Sequence, residues 1–296
     1  MKVAVILNGV SRKKKKFYKE ILPALKRHVD VVVAETQWSG HAEELARTLG
    51  KEYPVIISAG GDGTLHQIIN GIIRSELNEV QLGIIPLGTG NDFARICGYR
   101  ADGDHLGQQI LRNEKRLADV GVIHCTGLQG QQVAEYFINA SSVGLGPVVV
   151  EQLQHSSRWM GPQLTYLSSI LIAFFKQRAV FLKCVADGWS WEGKARVIAF
   201  ANSPAFGHAI YIAPRAQIND GRLNAFIATD MALPNFLVCL QRIKGGSEIK
   251  HPNIHYREFT SAMLTSDVPV LLEAEGELVG HLPATVDTVA GKIRLV

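Results

Sequence analysis

The sequence predicts an α/β domain, a parallel sheet with helices on both faces, followed by a mainly antiparallel β-sandwich domain. Three observations support this. Up to about residue 112, short apolar runs alternate with segments of helical spacing, as parallel strands joined by crossover helices require. Two of those runs, at 54–59 and 82–86, end in glycine-bearing turns that lead into helices. Beyond about residue 115, strand-like runs follow one another with turn residues between them, the pattern of an antiparallel sandwich.

Residues 2–7 read as a first buried strand, stopping at the turn-rich Asn8-Gly9-Val10-Ser11. In residues 12–28, Phe17, Ile21, Leu22 and Leu25 have helical spacing. Lys13 to Lys16 load its first turn with positive charge, where a helix favours negative charge. The run reads either as a solvated face or as a contact for phosphate or anionic lipid. Residues 29–34 form a second strand, and Thr36 to Ala42 lead into a helix through about Leu49. The third strand is 53–59. After its glycine turn, Leu65, Ile68, Ile69, Ile72 and Ile73 make one apolar helix face. The fourth strand is 82–86, followed by a short helix near 92–97. Ligands bind such sheets at the carboxyl ends of the strands, which gathers Asn8, Thr36, Gly60 to Thr64 and Thr89 together. Further strands are expected at 117–124, 135–140, 179–186, 194–201, 221–228, 258–264 and 268–273, with a helix interrupting at 162–176. The domains are then 1–118 and 119–282. Residues 283–296 form a C-terminal segment with the option of returning to the first domain.

With 296 residues, 47% of them hydrophobic, the chain is long enough for two domains. A net charge of +4 suits an anionic partner such as nucleotide, acidic lipid or nucleic acid, without choosing among them. Cys97, Cys125, Cys184 and Cys239 are far apart, with no CxxC. Neither a zinc site nor a disulfide framework is expected, and a reducing cytoplasm suits them. Residues 1–7 lack the apolar core of a signal peptide. The longest uncharged run, 159–175, falls short of the ~20 apolar residues that span a bilayer. It reads as a core helix or as the wall of an acyl-chain cleft.

The two turns, Gly60-Gly61-Asp62-Gly63-Thr64 and Leu87-Gly88-Thr89-Gly90-Asn91-Asp92, bring bare backbone to a strand-to-helix junction, where N–H groups can meet a phosphate. No GxxxxGK[ST] loop is present, and Gly88-Thr89-Gly90 lacks the third glycine of GxGxxG. The histidines show no HExxH spacing.

This pair of turns resembles the diacylglycerol kinase catalytic domain, and most closely the bacterial soluble lipid kinases of that superfamily, to which sphingosine kinases belong. NAD kinases and phosphofructokinases are more distant relatives. The segment 58–71 is similar to the family's GGDGTLNEVVNG, and 85–95 to its LGT-x-NDFAR. Ala118-Asp119-Val120-Gly121 resembles VDxG, Tyr136-Phe137-Ile138-Asn139 resembles YFxN, and Ile218-Asn219-Asp220-Gly221 resembles the DDG loop. Glu275-Gly276-Glu277 stands where the family has DGE. The resemblance implies an ATP-dependent, Mg²⁺-requiring kinase for a lipid hydroxyl, diacylglycerol being the leading acceptor. It implies that Asn8, Gly9, Val10, Ser11, Arg12, Thr36, Gly60, Gly61, Asp62, Gly63, Thr64, Leu65, His66, Gln67, Gly88, Thr89, Asn91 and Asp92 hold the nucleotide. Asp62 would reach the phosphates through Mg²⁺ or water, with Asp92 and Asp119 completing the acidic network. Asp220, with the carbonyls of Gln217 and Arg222, would hold a structural Mg²⁺. Glu275 or Glu277 would take the proton from the alcohol.

Two departures stand out. The DGE aspartate is here the longer Glu275, and Asn8-Gly9-Val10-Ser11-Arg12 lacks the proline and final glycine of NPxSG. The implied partner is a lipid at the inner face of a membrane, met by a cytoplasmic chain without a transmembrane segment and without nucleic acid; a homodimer is left open. Two other readings stay open as well: a kinase for a soluble acceptor of the NAD kinase type, and a non-catalytic nucleotide or lipid sensor.

Overall fold

A computed structural model describes residues 1–156, 161–207 and 209–296. The chain divides into two compact units, Met1–Ala118 with Gly291–Val296, and Asp119–Ala290.

In the first unit, β1 (Lys2–Leu7), β2 (Asp30–Glu35), β3 (Val55–Gly60) and β4 (Gln81–Pro86) pair in parallel in the order β4-β3-β1-β2. Arg294 and Leu295 add in parallel beside β4. Arg294 is paired with Glu79, and the Tyr99 hydroxyl donates to the Val296 carbonyl at 2.6 Å. β3 is buried throughout, which is why it reads as an unbroken apolar run.

The chain runs from β1 outward to β2, then back past β1 to β3 and β4. Crossovers of right-handed sense put the β1–β2 connection on one face and the next two on the other. The first connection is helical over residues 14–26: α1 (Lys14–Lys16), a π turn at Phe17–Ile21 and α2 (Leu22–Lys26). The others contain α3 (His41–Leu49) and α4 (Asp62–Arg74). These two pack so closely that a Cβ on Gly71 would lie 2.5 Å from the Glu43 carbonyl. After β4 come α5 (Asp92–Ile96) and α6 (Gly103–Arg112), the latter packed on α2. α6 is not among the elements expected from the sequence. Its signal was local: the Asp102 carboxylate caps the amides of Asp104 and His105. The strand order reverses between β1 and β3, so a crevice at their carboxyl ends is the expected ligand position.

The second unit is antiparallel and rich in strands. β7 (Ala140–Gly144), β8 (Val180–Ala186), β9 (Trp189–Ala201), β12 (Ser261–Thr265), β13 (Leu271–Ala274) and β14 (Glu277–Leu295) close a circuit of pairings, β9-β7-β13-β14-β12-β8-β9. β10 (Leu223–Thr229) and β11 (Ile254–Phe259) extend it beyond β9. β5 (Arg116–Gly127) pairs with β6 (Gln132–Phe137). The run expected as one strand at 258–264 is two, and the run at 135–140 spans the end of β6 and the start of β7. One apolar cluster, including Phe137, Leu182, Phe200, Phe259 and Leu272, fills the inside. A second lies under α7 (Leu145–His155), α8 (Pro162–Lys176) and α9 (Leu233–Arg242).

Of the uncharged run 159–175, Trp159 and Met160 lie outside the described residues. In α8, Ile170, Ala173 and Phe174 are buried, while Leu164, Ile172 and Phe175 are exposed. Among the described residues no helix is long and apolar enough to cross a membrane.

Asp187, in the β8–β9 turn, accepts from the Thr260 and Ser261 amides and the Thr260 hydroxyl. The Thr260 amide above all holds its carboxyl below the usual range. A depressed folded value stabilises above the unfolded pKa and is lost as pH falls through the folded one. The urea midpoint should therefore drop less between about pH 5 and pH 3 in Asp187→Asn than in the parent chain.

Candidate active site

Two glycine turns meet at the β1/β3 crevice, and their backbones lock together. The Gly60 carbonyl accepts from the Leu87 and Gly88 amides at 2.8 and 3.0 Å. A Cβ on Gly88 would stand 2.4 Å from the Gly61 Cα, so only glycine permits this approach. Gly88→Ala must force these backbones apart, at a cost of about 1–3 kcal/mol by urea unfolding. Gly63 is different, since a Cβ there would meet no protein atom within 4 Å. Gly63→Ala should leave stability unchanged or raise it, as alanine is the better helix former.

The loop after β1 is tied to the same turns. The Asn8 side chain donates to Thr64 Oγ1 at 3.1 Å, and its amide donates to the Ala59 carbonyl. The Gly9 amide donates to Thr36 Oγ1, joining the ends of β1 and β2. Ser11 Oγ donates to the Leu87 carbonyl at 3.4 Å, and Lys13 Nζ to the Gly88 carbonyl at 3.2 Å. Val10, Arg12 and Thr89 are exposed around this cluster, and Gln67 is half-buried. Leu65 and His66, expected among the nucleotide residues, are buried on the inward face of α4. Their side chains belong to the core, and the Leu65 amide is already bonded to the Gly61 carbonyl.

Asp62 opens α4, whose first amides lack intrahelical acceptors. Its own carboxylate turns the other way. Oδ2 accepts from the Asn91 amide at 2.7 Å and Oδ1 from the Asp92 amide at 2.8 Å, with the Phe93 amide also contributing. The Asp62 carboxylate is thereby a strut that fixes the second turn. Asn91, in the left-handed region, bonds reciprocally to the Gly88 amide and carbonyl. The buried Asp92 pairs with Arg95 at 2.7 Å, and Arg95 also donates to the Gly90 carbonyl. Burial, then the charge of Asp92, pushes the Asp62 carboxyl upward against the pull of these amides.

In the second unit, Asp119 is buried and Oδ2 accepts from the Gly221 amide at 2.6 Å, while its own amide donates to the Ile218 carbonyl. It thus braces the 217–222 turn, which carries the exposed Gln217, Asp220 and Arg222. Burial and the charges of Asp119 and Glu258 push the Asp220 carboxyl upward, opposed by the Arg222 amide. Crowded carboxylates on a turn of carbonyl oxygens fit a hard cation such as Mg²⁺.

Glu275 and Gly276 are not extended. They form the two-residue turn between β13 and β14, with φ of 53° and 81°. The Glu275 carboxylate accepts from the Ile138 amide at 2.8 Å, from the Asn139 amide, and from Asn139 Nδ2 at 2.8 Å. Glu277 is exposed at the start of β14. Asn139, which closes the YFxN-like segment, holds Glu275.

Turns of bare backbone at a strand-to-helix crevice suit the binding of a phosphate. Residues 2–123 match the diacylglycerol kinase catalytic domain, and residues 141–296 match the YegS C-terminal NAD kinase beta sandwich-like domain. The chain belongs to the diacylglycerol kinase-like family of bacterial lipid kinases. A diacylglycerol kinase of Staphylococcus saprophyticus is 29% identical over 241 residues, 81% of this chain and 75% of that protein. The diacylglycerol kinase of Staphylococcus aureus strain MRSA252 is 27% identical over 289 residues, 96% of this chain and 88% of that protein. The crystal structure of a diacylglycerol kinase from Bacillus anthracis shares the fold at a TM-score of 0.74 and 19% identity, covering 100% of this chain and 96% of that one.

Proposed function

We propose that the chain transfers the γ-phosphate of ATP to a lipid hydroxyl, with diacylglycerol as the acceptor, and that it requires Mg²⁺. The observation that carries this is the interlock of the two glycine turns at the switch point, with open space over Gly63 where a Cβ would stand. Phosphoryl transfer is mostly positioning and neutralisation of the moving group. The first-turn amides of α4 and the loop at 8–12 supply both, in a form any triphosphate can use. Gly63→Ala should therefore fold normally yet weaken ATP binding.

Mg²⁺ neutralises charge on the phosphate oxygens when bound. Asp62 is committed to three amides, so the first-unit carboxylates suit a hydrated ion bridged by water. The Asp220 turn suits a second, structural ion. Glu275, oriented by Ile138 and Asn139, is the base that takes the alcohol proton. Its brace favours it over the exposed Glu277.

The acceptor reading is supported by the names of the relatives. The exposed lysines at 13, 15 and 16 give the first unit a basic rim suited to an anionic membrane surface, here the inner face met from the cytoplasm. The test is incubation with labelled ATP, Mg²⁺ and vesicles with or without diacylglycerol, beside a parallel reaction with NAD. Labelled phosphatidic acid is expected. Transfer to NAD would replace the lipid reading with the soluble-acceptor one. ATP binding without turnover on any acceptor would leave a sensor.

A further inference from the structure

The second unit buries a carboxylate that the proposed reaction does not use. Glu273 is 1% exposed. Oε1 accepts from the Ser142 hydroxyl, Oε2 accepts from the Gly276 amide at 3.0 Å, and the Glu273 carbonyl accepts from Ser141 Oγ at 2.7 Å. A carboxylate in the interior is costly unless well bonded, and an apolar residue would serve a plain core better. Its inward aim comes from a register shift between Leu272 and Glu273. Leu272, Glu273 and Ala274 are all buried in succession, which strict alternation forbids and a bulge allows.

What this carboxylate holds is the turn that presents Glu275. Both turn residues have positive φ. That geometry suits Asn-Gly, and a longer side chain at the first position resists it. Two grips offset the resistance. The Glu275 side chain is held from the Ile138-Asn139 link, and the Gly276 amide is held by Glu273.

We propose that Glu273 is a positioning residue for phosphoryl transfer, fixing the Glu275–Gly276 turn so that the base keeps its aim. This rests on the reading of Glu275 as the base. Misplacing a reacting group by about 1 Å can cost up to about 10²-fold in rate. Glu273→Ala should lower kcat about tenfold or more, with KM for ATP and for lipid nearly unchanged. Glu273→Gln keeps a carbonyl oxygen for the Gly276 amide and should recover most of the rate. Ser142→Ala, the mildest change, should lower kcat a few-fold and leave the fold intact.

The deciding measurement combines Glu273→Ala with Glu275→Gln. If Glu273 acts through Glu275, the double variant turns over no slower than Glu275→Gln alone. If Glu273→Ala costs the same factor in both backgrounds, or only reduces the folded fraction, the positioning role is overturned while the base assignment stands. If Glu275→Gln keeps the parent rate, the base assignment itself falls, and this proposal with it.

Discussion

Asp62→Ala should remain folded and lose about 10²–10³-fold in phosphoryl transfer, a loss of the size seen when one fixed polar group is removed from a charged transition state. The reason lies in where the carboxylate points. It holds the amides of Asn91, Asp92 and Phe93, so its removal loosens the second glycine turn, which the Gly60 carbonyl still ties to the first. Asp62→Asn keeps one carbonyl oxygen and should lose less. Stability should respond weakly, because two effects oppose. The freed amides are a cost, but burial and the Asp92 charge raise the Asp62 carboxyl in the folded chain. With a raised folded pKa, the stabilising contribution is complete below the unfolded value and is lost as pH rises through the folded one. Ionisation of Asp62 is thus disfavoured by the fold, and removing the side chain should move the melting midpoint by no more than about 4 °C. A melting curve and a vesicle assay on the same sample separate the two effects. A variant with full transfer would remove the glycine turns from the reaction.

Glu275→Gln should lower kcat by about 10²–10⁴-fold, the usual worth of a placed general base, with ATP affinity unchanged. Glutamine keeps the size and an acceptor for the Ile138 and Asn139 amides, so the turn persists while the proton acceptor is lost. Glu277→Gln should behave nearly as the parent, since Glu277 is exposed. Steady-state kinetics on vesicles, with ATP binding measured separately, checks both. The reverse order of effects would move the base to Glu277.

How much of this was legible in the sequence differs between the halves. β1 and β3 are covered on both faces, so burial wrote continuous apolar runs at 2–7 and 54–59. The second half was harder. β14 contains Gly280, Pro283 and Gly291, residues that break a strand pattern, and pairing in turn with β13, β12 and β4 overrides them. α7 begins Leu145-Gly146-Pro147 and continues with three valines, a composition that favours a strand; packing on β7 and α8 decides otherwise. At the site, the glycines were legible because glycine-rich strand-to-helix turns carry a residue signature of their own. The direction of Asp62 was not, since its partners lie 29 to 31 residues away and are backbone amides that carry no residue signature. Glu275-Gly276 announced its turn only weakly, because glutamate stands where asparagine or aspartate usually does.

The placement of Gly291–Val296 against β4 sets an order on biosynthesis. The amino-terminal unit leaves the ribosome first, but its sheet lacks a neighbour for β4 until residues 294 and 295 have been made. During that interval β4 offers an open edge to other chains. A nascent chain stalled short of residue 291 should therefore bind chaperones or aggregate more readily than one extended past residue 295.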